Sequence, residues 1–235
     1  MVFGRGRDAA VQEPPVETVA WQTVWTFVIG SVERPETPRR KRTGWGPRAV
    51  RVPRGGRNDL VLAPCAYVGT AAGTGPDSAT GPARPELTLY EDAAARRLLC
   101  YVEEPREADG ERHHVVRDGR GEVLGTLRRL PPRRPFKHTW RLDQPGRPEI
   151  TGRNAWASGS AREVAGRAAG RLATALADGL FRPGDGGDLP ASPRTLEWRA
   201  ADETVMVSEG SEKVSIRAEW LDRRLAFAFA LVGDD

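Results

Sequence analysis

From Glu86 to Ile150, short apolar-rich runs recur at regular spacing: LTLYED, RRLLCYVEE, HHVVRD, EVLGTLRRL and FKHTWRLD. Turn-forming residues separate them at Asp109-Gly110, Asp118-Gly119-Arg120-Gly121 and Pro145-Gly146, where glycine accepts the positive φ of tight hairpins. This pattern predicts an antiparallel meander. TLEWRA, TVMVSEG and KVSIRAEW add three strands further on. Near the start, Trp21, Val24, Trp25, Val28, Ile29 and Val32 fit a helical face, but the Thr, Val, Trp and Phe content of WQTVWTFVIGSV suits a strand. We read it as a strand.

Two segments carry helical signals. Residues 161–181 open with a capping box, Ser160 and Glu163, and place Val164, Ala168, Leu172, Ala175, Leu176 and Leu180 on one face. In the terminal LDRRLAFAFALV, the alternation of Leu225, Phe227, Phe229 and Leu231 would suit a buried strand. Its alanines, with Asp222 to cap the start and Gly233 the end, favour a helix. A helix apolar all round must be enclosed on every side. Many short strands around such a helix call for a closed sheet.

Two stretches interrupt the pattern. Residues 34–58 are rich in Pro, Gly and Arg and read as a mobile loop dispensable for folding; residues 69–85 read as a flexible insertion. The chain thus divides into an N-terminal arm, 1–58, contributing some strands, and a barrel domain, 59–235.

Composition excludes broad classes. With 235 residues, 29% charged and 39% hydrophobic, the chain is neither collagen nor coiled coil nor disulfide scaffold. Of 36 basic residues 33 are Arg, against 32 acids, a bias a GC-rich genome writes anywhere, so the net +4 does not by itself indicate nucleic acid. Cys65 and Cys100 sit among apolar neighbours and read as buried thiols in a reducing compartment. The first 15 residues lack a signal-peptide pattern, and the longest apolar run, Leu225 to Val232, is too short to span a bilayer. These features lead to the expectation of a cytoplasmic protein.

Catalytic signatures are absent from the sequence. No nucleophile elbow, phosphate-binding loop or dinucleotide fingerprint occurs. His113 and His114 point to opposite faces of a strand, which suits core or edge histidines better than ligands of one metal. We expect no enzyme, no metal and no cofactor. The constellation with physical content is basic: RRLPPRRPFKHTWR carries Arg128, Arg129, Arg133, Arg134, Lys137 and Arg141 and no acid. Period two sends Phe136, His138, Trp140 and Leu142 to the core and Lys137, Thr139, Arg141 and Asp143 outward. Guanidinium forks match phosphate oxygens. A merely solvated face in an Arg-rich chain is the other reading.

The hairpin units HHVVRDGRGEVLGTLRR and FKHTWRLDQPGRPEITGRN, with the closing LDRRLAFAFALV, resemble the tubby C-terminal-like superfamily, which includes phospholipid-scramblase-like and LURP-one-related proteins. The resemblance covers about residues 86–235. It implies a closed antiparallel barrel of about twelve strands around the hydrophobic C-terminal helix, with 161–181 as an inserted amphipathic helix and strands from 20–68 completing the barrel. It also implies a non-enzymatic module that recognises anionic phospholipid or phosphoinositide headgroups, peripheral to the inner membrane face. No acidic calcium-binding segment like that of scramblases is present. Nucleic-acid binding through the same Arg-rich surface and the Arg39–Arg42 run, or a structural interaction role, are the alternatives.

Overall fold

The computed structural model describes residues 14–69, 87–131, 139–154 and 194–233. The expected helix at 161–181, nearly all of the expected insertion at 69–85, and Arg133, Arg134, Phe136, Lys137 and His138 lie outside these residues.

Among the described residues, thirteen strands form one antiparallel sheet: β1 (Thr26–Arg34), β2 (Gly44–Arg54), β3 (Val61–Val68), β4 (Thr88–Tyr90), β5 (Leu98–Val102), β6 (Arg106–Ala108), β7 (Glu111–Asp118), β8 (Val123–Leu130), β9 (Thr139–Asp143), β10 (Ile150–Asn154), β11 (Thr195–Ala200), β12 (Glu203–Glu209) and β13 (Lys213–Ile216). Every pairing joins strands consecutive along the chain except two, β1 with β13 and β5 with β7, and β5 and β6 are the consecutive strands that do not pair. The β5–β7 pairing closes the barrel through Cys100–Asp118, Tyr101–Arg117 and Val102–Val116. Twelve strands make the closed wall, and β6 is an extra strand beside β7. Closure leaves the twelve wall strands no free edge to template aggregation.

Local chemistry sets the turns. At the DGRG hairpin the Asp118 carboxylate accepts from the amides of Arg120 (2.8 Å) and Glu122 (2.9 Å), while Gly121 takes φ +84°. At the β6–β7 turn both Asp109 and Gly110 adopt positive φ, the pairing that primed hairpins require.

The barrel encloses α1 (Arg223–Val232), and every residue from Leu225 to Leu231 is buried. Asp222 caps it by accepting from the Arg224 amide at 2.9 Å, and Gly233 ends it at φ +88°. The aromatic side chains fix its position against opposite walls. Phe227 meets Phe27 of β1 edge-on at 4.9 Å, and Phe229 meets Trp140 of β9 at 5.5 Å and Trp198 of β11 at 4.7 Å. Such pairs contribute beyond their buried area, by about 0.5–1.5 kcal/mol each. The wall is thinned where it meets this core: a Cβ on Gly152 would lie 2.9 Å from the Trp198 ring. At the helix start, Arg223 and Arg224 lie over the rings of Trp25 and Trp21, so the segment preceding β1 covers that mouth.

The reading of 34–58 as a loop is overturned. Residues 44–54 are β2, paired on both sides with β1 and β3, and the division at 58 runs through the β2–β3 connection. The reason is Arg51, whose side chain is 0% exposed. Its guanidinium donates to the carbonyls of Gly30 (2.9 Å), Leu62 (3.0 Å) and Pro47 (2.6 Å) and pairs with Glu33 at 3.4 Å. The β1–β2 hairpin curls to bring Glu33 and Pro47 back onto Arg51, and a Cβ on Gly46 would lie 2.3 Å from the Glu33 carboxylate. Residues 35–43 are tied down too, with Thr37 donating to the Asn58 carbonyl and Arg40 to that of Leu60.

Candidate functional site

Among the described residues, the barrel interior is occupied by α1. Clefts of about 390 and 750 Å³ open elsewhere, the first beside Arg48, Glu212 and the helix C-terminus, the second between residues 14–20 and Arg34, Arg40 and Arg54.

Over Thr139–Asp143, the described part of FKHTWRLD, the period-two reading holds. Trp140 and Leu142 are fully buried, while Arg141 and Asp143 face outward. Arg128 and Arg141 stand opposite each other in register. Arg129 takes the other face, with its guanidinium carbon 5.7 Å from the centre of the Trp140 ring. The six expected residues thus separate into an outward pair, an inward arginine, and Arg133, Arg134 and Lys137, whose positions lie outside the described residues.

The outward pair is compensated by carboxylates from neighbouring strands and turns. Arg128 grips Asp143 with Nε at 2.6 Å and Nη2 at 3.3 Å, meets Glu111 at 3.2 Å and also contacts Glu149. Arg141 lies 3.6 Å from Glu149. Burial works against the Arg128 charge, but hydrogen bonding to Asp143 and the charges of Asp143, Glu149 and Glu111 raise its pKa on balance. Arg128 is thereby locked as a brace across β7, β8 and the β9–β10 turn. A phosphate approaching it would have to displace three carboxylates.

A second basic surface, containing the Arg39–Arg42 run, lies on the β1–β2 hairpin, which carries Arg39, Lys41, Arg42 and Arg48, all exposed, around an indole, Trp45, that is 69% exposed.

Both cysteines and one histidine are buried. Burial pushes the Cys65 and Cys100 thiols up to about 12, which keeps them protonated and unreactive. Among the described residues no three of His, Cys, Asp and Glu converge as a metal site. His113 and His114 do face opposite ways. His114 is buried against Trp140 with neither ring nitrogen hydrogen-bonded, and burial, aided by the Arg112 and Arg129 charges, pushes its pKa down to about 4.

That shift has a measurable consequence. Below the ordinary histidine pKa of about 6.5, the unfolded chain takes up a proton that the folded chain refuses. Stability therefore falls between about pH 6.5 and pH 4, by up to about 3 kcal/mol at the lower limit. Melting curves at about pH 7 and about pH 4.5 should show this loss in the parent and much less of it in His114→Met. An unchanged pH dependence in the variant would mean that His114 is accessible to protons in the fold.

Comparison with known proteins gives this architecture no relative: no family model, no curated protein and no solved structure matches the chain.

Proposed function

We propose that the chain is a non-catalytic module of the tubby C-terminal-like kind that docks on anionic phospholipid headgroups through the β8–β9 edge, from Arg128 to Arg141. The observation that carries this reading is the closed twelve-stranded wall around a buried terminal helix. This is the architecture the resemblance implies, and with α1 filling the interior it favours recognition on the outer surface. Arg128 serves as the brace, since its fork is already occupied. Headgroup contact belongs to Arg133, Arg134, Lys137 and Arg141, in a stretch with no acid between Leu130 and Leu142. Burial of Trp140 favours phosphate recognition over base stacking, which needs an exposed ring.

Charge reversal at Arg133 and Arg134 tests the reading. Each cation near an anionic surface is worth about 1 kcal/mol, so removing and reversing two should weaken binding to phosphatidylserine-containing vesicles by at least about 30-fold. The melting temperature should stay nearly constant. Equal binding by parent and variant would remove this edge from the site. A large drop in melting temperature would instead make the two arginines structural.

A further inference from the structure

Residues 35–48 hold Arg39, Arg40, Lys41, Arg42 and Arg48 against one acid, Glu36. That is a net of +4, equal to the formal net charge of the whole chain. The surplus is uncompensated in three dimensions as well. Arg40 is turned to the Leu60 carbonyl, but the side chains of Arg39, Lys41, Arg42 and Arg48 are exposed and make no hydrogen bond or ion pair among the described residues. Glu33, the nearest acid before them on β1, is committed to Arg51. This hairpin is the opposite of the β8–β9 face, where carboxylates from across the sheet hold the arginines.

Within the same hairpin, Gly44-Trp45-Gly46-Pro47 forms a short uncharged strip. Trp45 is 69% exposed, the most exposed of the large hydrophobic side chains among the described residues. Folding gains nothing from an indole left in water, whereas the boundary between headgroups and acyl chains suits its apolar body and N–H tip. The hairpin is also held rigidly against β3, by Arg51 to Leu62 and by Thr37 and Arg40 to the 58–60 turn. The ring and the cations are therefore displayed on a fixed support and pay little ordering entropy on contact.

We propose that the β1–β2 hairpin is an interfacial anchor: Trp45 inserts among the headgroups of an anionic bilayer, while Arg39, Lys41, Arg42 and Arg48 bind the surrounding lipid phosphates. This rests on the lipid-docking reading above and adds a second contact to it. Within residues 35–48 Trp45 is the one aromatic ring, which favours this partner over single-stranded nucleic acid, since that requires successive stacking platforms along a groove.

The experiment uses the full chain with phosphatidylcholine vesicles, with and without phosphatidylserine, some containing brominated acyl chains as a contact quencher. Brominated anionic vesicles should quench part of the tryptophan emission of the parent, and that part should vanish in Trp45→Phe. Trp45→Ala should bind anionic vesicles about tenfold more weakly, since burying one large side chain supplies this much. Arg39→Gln with Lys41→Gln and Arg42→Gln should cost about fivefold per cation. Melting temperatures should stay close to the parent's, because these side chains are exposed and the three cations make no hydrogen bond or ion pair among the described residues. Equal quenching in parent and Trp45→Phe, or parental binding by the triple variant, would overturn the anchor. If those results came with loss of binding on reversal of Arg133 and Arg134, the lipid-docking reading would survive without the anchor. If the hairpin variants lose binding and the Arg133/Arg134 reversal does not, the anchor stands and the β8–β9 edge falls. Quenching of Trp45 by an oligonucleotide at matched salt, without quenching by vesicles, would assign the surface to nucleic acid and overturn the proposal.

Discussion

Replacing Phe229 by Ala is expected to lower stability by about 3–5 kcal/mol, the range for removing a large aromatic from a packed core. For a chain of this size that is a fall in melting temperature of about 6–20 °C. Phe229 is chosen because its ring is fully buried and meets two indoles, Trp140 and Trp198, at near-perpendicular angles. Truncation would leave both indoles facing a cavity in the middle of the barrel. Because those rings belong to β9 and β11, the loss is felt on separate parts of the wall. Ending the chain at Arg224 should abolish cooperative unfolding altogether, since a closed wall without its helix has an empty centre. A shortened chain that melted near the parent temperature would refute the central role of α1.

The second large effect is expected at Arg51. Removing one partner of a buried ion pair typically costs about 3–5 kcal/mol, and Arg51→Met should approach that figure. Its guanidinium satisfies three backbone carbonyls besides Glu33. Methionine fills much of the volume but leaves those acceptors and the carboxylate without a donor. Glu33→Gln should cost less, about 1 kcal/mol, because Glu33 is partly exposed and the amide oxygen still accepts. The order of the two variants in chemical denaturation is the diagnostic. If Arg51→Met were no worse than Glu33→Gln, the arginine would be a passenger in the hairpin rather than its peg.

Period-two alternation and turn chemistry are local, so β7 to β9 and their DG hairpins could be read from the chain directly. The terminal helix was legible for the same reason: Asp222, Gly233 and the unbroken apolar run from Leu225 to Val232 carry both its caps and its environment. β2 was not legible. Its Gly44, Gly46, Pro47 and Pro53 are the residues that ordinarily break strands, and what holds it is Arg51, whose partners come from β1 and β3, 11 to 21 residues away. The irregularities at Val50–Arg51 and Gly30–Val32 absorb the awkward geometry, and no local pattern announces them.

The candidate site shows the same limit. Counting charges along the chain made Arg128 to Arg141 an acid-free run. The sheet, however, sets Glu111 and Asp143 beside Arg128 from adjacent strands, and the β9–β10 turn adds Glu149. Conversely, the Arg39–Arg42 run was visible in the sequence, but its rigid support was not. A charged loop and a charged, anchored hairpin have the same composition; they differ in contacts made with β3 and the 58–60 turn.

The most direct test of an exterior that docks on anionic lipid is co-sedimentation of the full chain with vesicles across a salt series. The account predicts binding to phosphatidylserine-containing vesicles and not to pure phosphatidylcholine, without any divalent metal. Affinity should fall steeply as salt rises past about 0.1 M, where charges are screened beyond about 10 Å. No affinity for anionic vesicles at low salt, or equal, salt-insensitive affinity for neutral ones, would contradict it.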